Sequence, residues 1–210
     1  MIYRIKYGRY EGVKYISHLD ILKLFDRATR RADLPVAYSE GFNPHPKFVF
    51  GMPIPVGTTS ESEYVDITFT EVIKKEDVLN KLNDALPPSV RILEINEITE
   101  QTPNIMKNMA AAKYRIKADF EEGEIEKIVA KAHEKDELVV EKKSKSGTKM
   151  VDIRPMIFFA KKEDDALILT TAAGNEVTLR ADLAITTLAG RDLKIKSIHR
   201  LALLTKDEIK

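Results

Sequence analysis

The chain has no cysteine and no tryptophan among its 210 residues. Without cysteine it can form no disulfide, zinc ribbon or cysteine-ligated iron–sulfur cluster of its own. The same lack fits a reducing compartment. No apolar run approaches the ~20 residues that a membrane-spanning helix needs. The opening MIYRIKYGRYEG is polar and alternating, unlike a secretory leader. Charge of one sign is scarce too, with 34 Lys+Arg against 33 Asp+Glu and a formal net charge of +1. No global field draws such a chain onto nucleic acid or membrane, so affinity for a polyanion must come from a local patch. We therefore expect a cytoplasmic protein with no membrane partner. Its 43% hydrophobic content suffices for one large domain or two small ones.

Residues 2–9 (IYRIKYGR) alternate apolar and polar, the period of a strand. Ser17 with Asp20 three residues on has capping-box spacing, so a helix is expected over 18–32, ending before Leu34-Pro35. Ile21, Leu22, Phe25, Ala28 and Ala32 fall on one side of that helix, and Lys23, Arg27, Arg30 and Arg31 on the other. A short strand at 47–50, an alternating strand at 63–70, a helix at 75–86 ended by Pro87-Pro88, and a strand at 90–98 follow. The order strand, helix, strand, strand, helix, strand is that of a ferredoxin-like split βαβ unit.

Residues 99–111 lack a clean period and contain Pro103, and read as a linker. The segment KYRIKADF at 113–120 echoes the opening YRIK. A helix over 122–133, strands over 138–143 and 150–159 around a turn at Lys145-Ser146-Gly147, and a strand over 166–171 come next. A Gly174-Asn175 turn, a helix over 180–188 stopped by Gly190, and a strand over 193–204 close the chain. The expected class is α+β: tandem ferredoxin-like (βαββαβ) domains with antiparallel sheets. The first spans 1–98 and carries the site; the second, embellished, spans 112–210.

Residues 15–57 concentrate the chemistry, holding two of the four histidines, the basic helix side and most prolines of the first half. His18 lies in the first helical turn, where the helix dipole favours a neutral ring able to act as base or ligand. Pro44 and Pro46 bracket His45 in a stiff loop that could fold over that helix end. With Asp20 nearby the two histidines are candidates for acid–base work or anion binding. The plainer alternative is that both only orient the loop by hydrogen bonds. Asp20 faces away from His18 on an ideal helix, and two histidines fall short of the three or four ligands a metal wants, so no metal centre is expected.

The second constellation is Lys23, Arg27, Arg30 and Arg31, followed in the loop by Tyr38, Phe42, Asn43, His45 and Lys47. Arginine grips phosphate bidentately, and exposed aromatics stack on bases, so this set suits RNA or a nucleotide tail. The plainer alternative is a solvated helix side partly neutralised by Asp26 and Asp33. Gly41, Gly51 and Gly57 permit either turns or close backbone approach to a ligand. They match neither a P-loop nor a dinucleotide fingerprint, and no cofactor is expected. Arg154-Pro155 puts a cation at a strand end near the domain junction, or is a surface arginine beside an edge-strand proline.

The segments SHLD (17–20), RRADLP (30–35), GFNPHP (41–46) and VDIRP (151–155), in that order, carry a resemblance. They are similar to the N-terminal core of a bacterial radical-SAM-linked family, a domain of unknown function fused to, or encoded beside, cobalamin-domain radical SAM proteins. The resemblance covers most of the chain. It implies association with a radical SAM enzyme and, by genomic setting, with RNA processing and ribosome genes. It implies no activity of the chain itself, which lacks the cysteines of a radical SAM enzyme.

The leading expectation is a non-catalytic RNA- or substrate-binding accessory module for a radical SAM partner, in RNA- or ribosome-related modification. One alternative is a metal-independent RNA-processing endonuclease working through His18 or His45. Tandem ferredoxin-like domains build such enzymes in CRISPR repeat processing, but their glycine-rich C-terminal loop has no counterpart in 194–204. Another alternative is a protein–protein adaptor with no nucleic acid.

Overall fold

The computed structural model describes residues 1–134, 136–144 and 147–209, with the backbone alone at 142–144. The chain divides into two compact units, Met1–Asn108 and Met109–Lys210. Both are mixed α and β, with mostly antiparallel strands, and the described residues contain five α-helices.

In the first unit β1 (Ile2–Arg9), α1 (His18–Arg31), β2 (Phe48–Phe50), β3 (Thr59–Thr68), α2 (Lys75–Ala85) and β4 (Val90–Ile98) follow one another, with a short α3 (Ile105–Asn108) at the end. The sheet order is β4-β1-β3-β2, each pair antiparallel. Alternation along β1 buries Tyr3, Ile5 and Tyr7 on one face, where they share a core with Ile21, Phe25 and Ala28 of α1 and Val78 and Leu82 of α2. The opposite face carries Arg4, registered opposite Asp66 of β3, and the two form a bidentate ion pair with both bonds at 2.8 Å.

α1 starts where the spacing predicts. Ser17 Oγ accepts the Asp20 amide at 3.2 Å, while Asp20 Oδ2 accepts the Ser17 amide at 3.2 Å and hydroxyl at 2.7 Å. It stops in a Schellman-type turn. Asp33 takes a left-handed φ of 49°, its amide reaches Arg30 O, and the Leu34 amide reaches Thr29 O.

The second unit contains β5 (Met109–Ala118), α4 (Glu124–His133), β6 (Val139–Ser144), β7 (Gly147–Asp152), β8 (Ile157–Glu163), β9 (Ala166–Ala172), α5 (Ala181–Ala189) and β10 (Ile195–Thr205). Its sheet order is β10-β5-β9-β8, and β6 and β7 form a separate two-stranded ribbon.

Three boundaries depart from the sequence reading. The strand expected from 63 begins at Thr59, because Thr58, Thr59, Ser60 and Ser62 are buried despite their polarity. The segment read as a linker contains α3 and the first residues of β5, where Met109, Ala111 and Ala112 are buried. Small side chains pack closely there without an apolar period to reveal it. The single strand expected over 150–159 is two, β7 and β8, separated by a 3-10 turn at Arg154–Met156 that begins with Pro155 inside it. Proline lacks the amide needed to carry a ladder through. Of the expected 145–147 turn, Lys145 and Ser146 lie outside the described residues.

Candidate nucleic-acid interface

The exposed side of α1 follows from its buried one. With Ile21, Phe25 and Ala28 turned inward, Lys23, Arg27 and Arg30 run along the solvent side at spacings of four and three. They are not equivalent. Arg30 is committed: its Nε lies 3.0 Å from Asp26 Oδ1, and its guanidinium stands 5.9 Å from the Tyr38 ring centroid. The Tyr38 hydroxyl also reaches Asp26 Oδ1 at 3.5 Å. Arg31 donates to Ala85 O at 2.7 Å and so ties α1 to the end of α2. Lys23 and Arg27 are exposed and make no ion pair or side-chain hydrogen bond among the described residues. They are the cations free to meet a ligand.

The loop after α1 is pinned at its neck. Tyr38 and Pro46 form a bridge, the Ser39 amide donates to His45 O at 2.8 Å, and the His45 amide donates to Ser39 Oγ at 3.0 Å. Gly41 takes φ +115°, which an L side chain rarely adopts, and this turns the tip outward. Phe42 at the tip is 105% exposed, with Asn43, Pro44, His45 and Lys47 exposed beside it. The Phe42 ring therefore stands wholly in solvent at the tip of a loop braced at its neck.

His18 sits elsewhere. Its ring meets Phe50 edge-on at 5.5 Å and makes no hydrogen bond among the described residues. Burial pushes its pKa below the ordinary value, the nearby Arg9 cation adds to this, and Glu63 opposes it. Asp20 is spent on the capping box, which holds its carboxyl below the usual range. Because Tyr38 stands against Arg30, the 39–45 loop springs from the far end of α1. Twelve residues at 1.5 Å each put Arg30 about 18 Å along the axis from His18. The loop does not fold over the start of α1, and no shared constellation of His18, His45 and Asp20 forms. Among the described residues no three His, Cys, Asp or Glu side chains group as a metal site.

Sequence reasoning missed Arg9, which is 3% exposed at the end of β1. Its Nη2 donates to Val13 O at 3.2 Å and Ile16 O at 3.0 Å, bracing the turn that leads into Ser17, while its Nε is buried with no hydrogen-bond partner among the described residues. Nothing in an alternating strand marks its last arginine as buried. Gly57, at φ +89°, donates its amide to Lys14 O at 2.8 Å and turns the chain there. Arg154 lies in the second unit, where Nη1 donates to Ile157 O at 3.1 Å and Nε to Glu134 O. Its guanidinium is occupied by carbonyls.

No described helix is long and apolar enough to cross a membrane. No curated protein matches the chain. A family described as uncharacterized protein conserved in bacteria (DUF2344) matches residues 3–181, which takes in nearly all of the first unit and most of the second. The chain belongs to this uncharacterized bacterial family, DUF2344.

Proposed function

We propose that the chain is a non-catalytic RNA-binding accessory module for a radical SAM partner, and that each unit is a ferredoxin-like fold. The fold reading is supported by the matching orders β4-β1-β3-β2 and β10-β5-β9-β8, the second with the β6–β7 ribbon inserted. The partner enters through the resemblance of the SHLD, RRADLP, GFNPHP and VDIRP segments. RNA binding is supported by two uncommitted cations on the solvent side of α1, Lys23 and Arg27, and by the exposed Phe42 of the braced loop that follows α1. Cations track the phosphates, and an exposed ring stacks on an unpaired base, so the ligand is single-stranded. The endonuclease alternative has less to stand on, since His18 and His45 belong to opposite ends of α1.

Fluorescence anisotropy with a short labelled single-stranded RNA tests this. F42A costs about 1–3 kcal/mol of affinity, the worth of one stacked base. K23A/R27A lowers the slope of log K against log salt by about 1.4, two contacts at about 0.7 each. Wild-type affinity in both variants would sink the proposal.

A further inference from the structure

The basic row on α1 runs on past Arg27. Lys23, Arg27 and Arg31 are exposed and stand four residues apart, so each lies about 6 Å along the axis from the next, on nearly the same side. At Arg31 the row reaches α2. A cleft of about 420 Å³ opens there, lined by Arg31, Ala32, Lys81, Asp84 and Ala85. Ala32 and Ala85 are half-buried, and Ala28 and Leu82, a turn back on each helix, are wholly buried. The two small alanine side chains leave the gap between the helix ends, and the charged side chains line it.

The three charged groups are not spent on one another. Arg31 Nη2 donates to the Ala85 carbonyl at 2.7 Å, which anchors the guanidinium at the wall of the cleft. Its side chain makes no other hydrogen bond or ion pair among the described residues. Lys81 and Asp84 are exposed and make neither. Three residues apart on one helix, they are spaced to pair with each other, yet they do not.

The cleft volume falls within the range of small-ligand sites, about 300–1,000 Å³, but its lining is charged rather than apolar. An arginine fork and a lysine point charge together suit phosphate oxygens. A carboxylate beside them repels phosphate and accepts hydrogen bonds, so it suits a ligand that sets a hydroxyl next to its phosphate. The ribose of RNA does so through the 2′-hydroxyl, which DNA lacks. We propose that the α1–α2 cleft holds the sugar-phosphate of one RNA nucleotide, with Arg31 and Lys81 on the phosphate and Asp84 accepting from the 2′-hydroxyl. The ligand class rests on the reading above; the cleft uses none of the residues named there, and it adds a preference for RNA over DNA.

The test uses the full chain with labelled oligouridine and oligodeoxyuridine of equal length, and follows anisotropy across a salt series. D84A weakens RNA binding about tenfold, the worth of a hydrogen bond to a charged group. It leaves DNA binding unchanged or tighter, because a charge that repels phosphate is gone. K81A lowers the log–log salt slope by about 0.7 with either strand, as one lost contact should. A D84A variant that changes RNA and DNA binding alike, or a K81A variant with the wild-type slope, overturns the proposal. If F42A and K23A/R27A lose binding while D84A and K81A behave as wild type, the α1 reading holds and the cleft contact fails. If D84A and K81A act as stated while F42A and K23A/R27A bind normally, the cleft contact holds and the α1 reading fails. No salt-dependent binding of RNA by the wild-type chain overturns both.

Discussion

Replacing Arg4 by methionine removes one half of the ion pair on the face of the first unit's sheet opposite α1 and α2, and strands the other half. The Arg4 and Asp66 side chains are only 15% and 11% exposed, and Arg4 Nη2 also bonds Pro103 O at 3.0 Å. An exposed ion pair is worth about 0–1 kcal/mol, but breaking a buried one costs about 3–5 kcal/mol, because the remaining charge keeps its desolvation penalty with nothing to offset it. The residual exposure sets R4M near the lower end, about 3 kcal/mol. R4M/D66L removes both charges and restores apolar volume, so it falls within about 1 kcal/mol of wild type. Urea unfolding followed by tyrosine fluorescence reads this directly. The chain has no tryptophan, and six of its seven tyrosines lie in Met1–Asn108, so the signal belongs mainly to the unit under test. A midpoint shift at unchanged slope gives the free-energy difference. A cost below about 1 kcal/mol for R4M, or a double variant as unstable as the single one, refutes the reasoning.

Two further outcomes follow from the first unit. His18 titrates below 6.5 in an NMR pH series, because burial and then Arg9 disfavour its charged ring. The unfolded chain therefore takes up this proton first. Stability falls as pH drops below about 6.5 and levels once the folded ring protonates as well. H18Q flattens that segment of the curve, and a folded pKa of 6.5 or higher contradicts the assigned surroundings. Phe25 is fully buried, with its ring 4.9 Å from that of Tyr7 and 5.5 Å from that of Phe50. F25A costs about 3–5 kcal/mol in the same urea assay, and a loss under about 1 kcal/mol would mean the three rings do not form the packed centre described.

Much of the fold was legible because its signals are local. The Ser17–Asp20 spacing marks the start of α1, the β1 alternation marks Tyr3, Ile5 and Tyr7 as inward, and Gly190 marks the end of α5 at φ +69°. Where composition disguised burial, as at Thr58–Ser62 and Met109–Ala112, the boundaries moved. The candidate interface was half legible. Cations and an aromatic, proline-braced loop can be read from letters, but which cations are already spent cannot. Asp26 and Tyr38 take Arg30, and the Ala85 carbonyl takes Arg31. Those partners lie 4, 8 and 54 residues away, and only the last two need the chain to fold back.

By itself the sequence determined the order of the main helices and strands, the buried side of α1 and β1, and that no cysteine chemistry occurs on this chain. These depend on periodicity and on neighbours within a few residues. Only the tertiary structure decided that Arg4 meets Asp66, that Arg9 is buried, that Lys23 and Arg27 stay free, and that His18 and His45 belong to opposite ends of α1. Each of these depends on pairing between distant segments, set by strand order and by competition among many possible partners, which no local pattern encodes.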